Sequence, residues 1–236
     1  MVRTLTDEQL DLSTDSFLSE LPDDVLSRLE DRGWDVEGQP DPPVYLPDDS
    51  ANLVYFIRSG RVRLYYPTSE QKRITLDFLE PGELFGELAL VNFETRGEAA
   101  ETIEDSRLTV FPGDYFRRVM EDTPDLFSQV FDFINLRRWR IQNRLKTLVY
   151  EDADRRVAYV LLDLGDGLGL RTRQPESATI EITHQELADM AGLARPTTTK
   201  ILNQFQDDGH VRLENSGVRI EDPVALKRKI NYIEAD

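Results

Sequence analysis

The chain of 236 residues has 39% hydrophobic side chains and a formal net charge of −17, from 45 acidic and 28 basic residues. That apolar content specifies a globular core in one large or two small domains, and the acidity argues against a general polyanion binder. The absence of cysteine excludes disulfides, thiolate zinc sites, cysteine nucleophiles and cysteine-held iron–sulfur clusters. No apolar run approaches the ~18 residues of a membrane span, and the polar, acidic stretch Met1 to Asp15 does not read as a signal peptide. A cytoplasmic location without a membrane partner is expected. The only lysines are Lys72, Lys146, Lys200, Lys227 and Lys229, and such an acidic, arginine-dominated composition resembles that of salt-adapted proteins. The charge is uneven: residues 1–151 net −13 and residues 152–236 net −4.

Asp7 to Gly33 reads as short helices, with Leu18, Leu21, Val25, Leu26 and Leu29 near helical spacing and Gly33 as a stop. Val36 to Asp49 is rich in Pro, Asp and Gly and reads as loop or irregular strand. The period then becomes that of strands. Val54 to Arg58 leads through Ser59-Gly60 to Arg61–Tyr66, where Val62 and Leu64 alternate with Arg61 and Arg63. Pro67 to Gln71 is a turn, and Arg73 to Leu79 alternates again through Ile74, Leu76 and Phe78. Pro81-Gly82 is another turn, and Leu108 to Phe111 reads as a closing strand ended by Pro112-Gly113. Short strands at this spacing predict a small antiparallel barrel or roll.

Asp114 to Met120 reads as a helix. Thr123-Pro124 starts a longer one that runs to about Tyr150 without Gly or Pro, roughly 40 Å at about 1.5 Å per residue. Phe127, Val130, Ile134, Ile141 and Leu148 fall on alternating three- and four-residue steps, with Arg137 and Arg144 at the remaining positions. Such a stripe is either a dimer seam or a face packed on its own domain. Asp154 to Leu164 is a further helix, with Val157, Val160, Leu161 and Leu164 on one face, broken by Gly165 to Gly169. The expected domains are 1–122, a barrel with N-terminal helices; 123–151, the long helix; and 152–236, a C-terminal domain.

Thr183-His184-Gln185-Glu186 forms a capping box, and Leu187, Met190 and Ala191 make one buried stripe. Gly192 supplies a left-handed turn, and Pro196 fits the first position of a second helix. Thr198, Ile201, Leu202 and Phe205 face inward at i, i+3, i+4 and i+7. Arg195, Pro196, Thr197, Thr199, Lys200 and Asn203 remain outside, with groups suited to base edges or phosphates. Val211 to Leu213, the Asn215-Ser216-Gly217 turn and Val218 to Ile220 make a hairpin that reads as a wing, with Arg219 placed for backbone phosphate. Thr183, His184 and Arg219 complete the candidate DNA-binding set.

Two stretches together are similar to the CRP/FNR superfamily of transcription regulators. The first comprises Tyr55-Phe56-Ile57, Ser59-Gly60, Val62-Arg63-Leu64, Phe78-Leu79, Pro81-Gly82 and Phe85-Gly86-Glu87-Leu88-Ala89-Leu90. The second comprises Thr183, Gln185-Glu186-Leu187-Ala188, Ala191-Gly192, Arg195 and Lys200-Ile201-Leu202. The resemblance implies an α+β chain. It has an N-terminal cyclic-nucleotide-binding-type antiparallel β-barrel (a double-stranded β-helix or jelly roll), a long central dimerisation helix and a C-terminal winged helix-turn-helix. It implies a homodimeric, sequence-specific, double-stranded-DNA-binding regulator of palindromic promoter sites, gated by a small ligand, with RNA polymerase as partner of an activator. It implies no enzyme activity.

For an effector, the resemblance points to Gly86, Glu87, Leu88 and Arg96, with Glu87 toward a ribose hydroxyl and Arg96 toward a cyclic phosphate. Gly97 stands where a Ser or Thr is usual, Glu98 follows it, and Ile141 and Gln142 replace an adenine-contacting hydroxyl pair. A cyclic nucleotide, another small ligand and a ligand-free barrel with a Glu87–Arg96 ion pair all remain open. Haem and iron–sulfur clusters are not expected, since His184 and His210 lie in or beside the helix-turn-helix. A metal enzyme on the same barrel is disfavoured by the lack of barrel histidine. Pro196 cannot accept from cytosine, so the operator differs from that of the cyclic-AMP receptor. The rival reading is a protein-interaction or scaffold module whose winged helix does not bind DNA.

Overall fold

The computed structural model describes residues 3–4, 21–68, 73–91, 93–165 and 179–230. The expected roles of Leu18, of the turn residues beyond 68, and of residues 166–169 lie outside the described residues. The chain divides into two compact units, Met1–Asn135 and Leu136–Asp236.

The first unit begins with β1 (Arg3–Thr4), α1 (Asp23–Glu30) and β2 (Trp34–Gly38). Four strands follow: β3 (Leu53–Ser59), β4 (Val62–Pro67), β5 (Arg73–Leu79) and β6 (Leu84–Phe85). After a single 3-10 turn at Glu87–Leu90 come β7 (Ala99–Thr102), β8 (Ser106–Pro112), α2 (Gly113–Glu121) and α3 (Pro124–Tyr150). The strands form two antiparallel sheets, in the orders β1-β2-β8-β3-β6 and β5-β4-β7.

Strand β3 shows why its sequence is apolar without a break. Its side chains alternate between two cores. Val54 and Phe56 join Leu26 and Leu29 of α1, Phe111 of β8, Phe116 of α2 and Val130 of α3. Tyr55 and Ile57 point the other way, to Val36, Leu79, Phe85 and Val110 inside the barrel. Each such fully buried side chain contributes about 1.5–3 kcal/mol.

Two strands differ from the reading of the sequence. Trp34–Gly38, unassigned at Trp34-Asp35 and read from Val36 as loop or irregular strand, is a regular strand because Trp34 to Gly38 pair with Val110 to Ser106. Ala99–Thr102 shows no alternation, since all four residues are buried, and it pairs with β4 from Tyr65 to Val62.

The second unit continues from α3 with α4 (Ala153–Leu164), β9 (Thr179–Ile180), α5 (His184–Ala191) and α6 (Arg195–Asp207). The hairpin β10 (Val211–Glu214) and β11 (Gly217–Ile220) and the helix α7 (Pro223–Lys229) complete it. β11 is the centre strand between β10 and β9. α4 packs against α5, α6 and α7, and its residues Val157 to Leu164 are all buried, so the expected single apolar face is in fact a helix covered all round. α7 was not anticipated, although Asp222-Pro223 is a start signal: the Asp222 carboxylate accepts from the Ala225 amide at 2.9 Å.

On α3 the expected stripe is shifted in register. Val130, Arg137 (4% exposed) and Arg144 (4%) are buried. The exposed apolar positions include Phe127, Phe131 (55%), Leu145 (60%) and Leu148, with Ile134 and Ile141 half-buried. The outward seam is therefore Phe127, Phe131, Ile134, Arg138, Ile141, Leu145 and Leu148, still at alternating four- and three-residue steps.

Candidate DNA interface and barrel ligand site

The helix-turn-helix is built by local chemistry. Thr183 Oγ1 accepts from the Glu186 amide at 3.1 Å, and the Glu186 carboxylate accepts from the Thr183 amide at 2.8 Å. Gly192 adopts φ 62°, ψ 41°, which stops α5 and lets α6 start after Leu193 and Ala194. Arg195 takes the first position of α6 and Pro196 the second, one residue later than the spacing suggested. Thr198, Ile201, Leu202 and Phe205 are buried; Arg195, Pro196, Thr197, Lys200 and Asn203 are exposed on the opposite face. Gln204 also stands exposed there, a group that the reading of the sequence passed over.

Thr199 differs from its neighbours. Its hydroxyl hydrogen-bonds His184 Nδ1 at 2.9 Å, tying the start of α5 to the first turns of α6. Thr199 and His184 thus brace the two helices, while the other ring nitrogen of His184 is not part of that bond. The hairpin loop is two residues, Asn215-Ser216, because Gly217 already pairs with Glu214 in the ladder. Arg219 Nε donates to Glu214 at 3.0 Å and its Nη2 to Thr179 Oγ1 at 3.3 Å; Arg212 pairs with Glu221 at 3.2 Å. The hydrogen bond from Thr179, with Arg219 beside it, holds the Glu214 carboxyl below its usual range. Both wing arginines are therefore already matched to carboxylates.

In the barrel, Gly86, Glu87, Leu88, Arg96 and Gly97 come together. Arg96 is 3% exposed. Its Nη1 donates to the Gly86 carbonyl at 2.9 Å and its Nη2 to the Leu53 carbonyl at 2.6 Å. The guanidinium lies over the Tyr45 ring, 4.4 Å from its centroid. Gly86 is required: its φ is 77°, and a Cβ there would meet Arg96 Nη1 at 2.8 Å and the Leu53 carbonyl at 2.9 Å. Tyr45 Oη donates to Glu98 at 3.1 Å. Burial first, then the nearby charges of Glu98 and Glu87, push the Tyr45 phenol well above its ordinary value, while Arg96 opposes them. Tyr45, Tyr55 and Phe85 pack as one aromatic group, with the last two rings stacked at 4.9 Å. Tyr45 was missed because it lies in the irregular stretch before β3. Ile141 (half-buried) and Gln142 (exposed) are on α3, in the other unit.

The comparisons with known proteins follow this division. The cyclic nucleotide-binding domain family matches residues 39–123, and the Crp-like helix-turn-helix domain family matches residues 155–229. A cyclic AMP receptor protein of Thermus thermophilus is 30% identical over 185 residues, 78% of this chain and 82% of that protein. A CRP-like cAMP-activated global transcriptional regulator of Mycobacterium tuberculosis is 29% identical over 186 residues, 79% of this chain and 83% of that one. The solved structure of a CooA variant from Carboxydothermus hydrogenoformans shares the fold, with a TM-score of 0.72 at 23% identity over 95% of this chain and 96% of that one. The chain belongs to the CRP/FNR family of transcription regulators. Among the described residues no helix is long and apolar enough to cross a membrane, and no group of His, Cys, Asp or Glu is arranged to hold a metal ion.

Proposed function

We propose that this chain is a homodimeric cytoplasmic regulator that reads palindromic promoter sites through α6, with its barrel as the effector unit. The observation that supports this most is the exposed face of α6. Arg195, Thr197, Lys200 and Asn203 stand free of the buried face, on a helix fixed by the Thr183 capping box and the His184–Thr199 bond. Arg195 and Lys200 are suited to guanine edges, and Asn203 to adenine. Thr183 and His184 at the start of α5, with Arg219 of the wing, contact backbone phosphate. Arg219 exchanges its Glu214 partner for phosphate on binding. The seam of Phe127, Phe131, Ile134, Ile141, Leu145 and Leu148 brings two copies of α3 together, parallel about a two-fold axis. Half-sites then lie about one helical turn apart, roughly 34 Å. Where it activates, RNA polymerase is its further partner.

The barrel fits a cyclic phosphate only in part. Arg96 keeps one buried donor, its Nε, without a hydrogen-bond partner, and Glu87 opens the 3-10 turn beside it. Against this, both Nη groups are committed to carbonyls, Gly97 offers no hydroxyl, and the Glu98 carboxylate sits at the Tyr45 hydroxyl. A bound nucleotide would engage Arg96 Nε and Glu87.

The test is retention of genomic DNA fragments by the full-length protein, with and without cyclic AMP or cyclic GMP, followed by sequencing. Enrichment of one palindrome is expected. Absence of any sequence preference across a range of salt, with and without nucleotide, would contradict the reading.

A further inference from the structure

The dimer seam contains one charged residue. Arg138 lies among Phe131, Ile134, Ile141 and Leu145, and it is exposed on α3. No acidic residue occurs between Asp132 and Glu151, whereas Arg137, Arg138, Arg140, Arg144 and Lys146 all fall in that stretch. In a chain of net charge −17 this helix is strongly cationic. Arg137, Arg140 and Arg144 are buried, whereas Arg138 is exposed.

Heptad geometry makes the consequence specific. With Phe127, Ile134, Ile141 and Leu148 at one seam position, Phe131, Arg138 and Leu145 occupy the other. In a parallel, in-register pair the two copies of Arg138 face each other across the axis, inside an apolar layer. Two desolvated guanidiniums repel, and neither helix offers a carboxylate within reach. A small dianion between them removes the repulsion. Each planar guanidinium can present two parallel N–H donors to it, as arginine does with phosphate and carboxylate.

We propose that the two Arg138 side chains of the dimer form a binding site for a small dianion, an oxyanion such as phosphate or a short dicarboxylate, which is complete only when both copies are present. This rests on the dimeric reading above. The site couples anion concentration to dimer formation, and through it to occupancy of a two-fold DNA site.

The experiment is sedimentation of the full-length protein at constant ionic strength, with chloride replaced stepwise by inorganic phosphate in one series and by succinate in another. The same series is run on Arg138→Leu. Wild type is expected to dimerise about tenfold more tightly when a binding dianion reaches ten times its own dissociation constant. Response to phosphate alone identifies an oxyanion site, and response to succinate alone a dicarboxylate site. Arg138→Leu is expected to dimerise tightly without dianion and to lose the dependence. If wild type and Arg138→Leu both dimerise with no response to either dianion, the anion site is wrong and the seam stands. If Arg138→Leu stays monomeric, the seam itself is wrong.

Discussion

In the barrel unit, Arg96 is nearly sealed from solvent, its two Nη groups bound to the carbonyls of Gly86 and Leu53 and its plane laid on Tyr45. In the second unit, Arg195 stands exposed at the first position of α6, between Ala194 and Pro196 in the chain. The same side chain thus does opposite work. Arg96 ties the turn at Gly86 to the start of β3 at Leu53, so its loss is felt in folding. Arg195 contributes little to folding and is available to a partner. The wing lies between these extremes, since Arg219 and Arg212 are exposed but already paired with Glu214 and Glu221.

The largest expected effect separates the two arginines directly. Arg96→Leu removes the donor from the Leu53 carbonyl and one of the two donors from the Gly86 carbonyl, which keeps the Ala89 amide, and should cost about 2 kcal/mol of barrel stability. Arg195→Ala should change stability by no more than about 0.5 kcal/mol. Urea unfolding of both variants checks this, and equal losses would erase the contrast. Next in size is Thr183→Ala, which removes the capping oxygen from the Glu186 amide and should cost about 1 kcal/mol, read by thermal unfolding of the second unit.

The smallest effect concerns Tyr45. Its phenol titrates higher in the folded chain than the ordinary 10.0, because it is buried beside Glu98 and Glu87. Its contribution is therefore fully present below pH 10 and is lost as pH rises through the higher folded value. Tyr45→Phe should flatten the alkaline limb of stability against pH, measured by denaturation at pH 9 to 12. An unchanged limb would place its cause elsewhere.

Much of this was legible in the sequence where the chemistry is local. The inward places of Val62 and Leu64, the Thr183–Glu186 box and Gly192 each depend on a few residues, and the structure places them as read, although Arg61, set against them in the alternation, is buried too. What was not legible depends on distant partners. The two candidate seams on α3 share Phe127, Ile134, Ile141 and Leu148. Only the burial of Val130, Arg137 and Arg144 selects the one through Phe131, Arg138 and Leu145. Likewise, Arg96 was recognisable by position, but its actual acceptors are backbone carbonyls, which no side-chain pattern reveals. β7 was hidden because all four of its residues are buried, and α7 was overlooked despite its Asp-Pro start.

The central claim is that α6 reads DNA with its exposed face. The direct measurement is the affinity of wild type and of the Arg195→Ala/Lys200→Ala double variant for the selected palindrome and for a scrambled duplex, alongside their unfolding curves. The account predicts unchanged unfolding and a loss of specific affinity on the order of 100-fold or more, with much less change on the scrambled duplex. Equal affinity of the two proteins for the palindrome would contradict it.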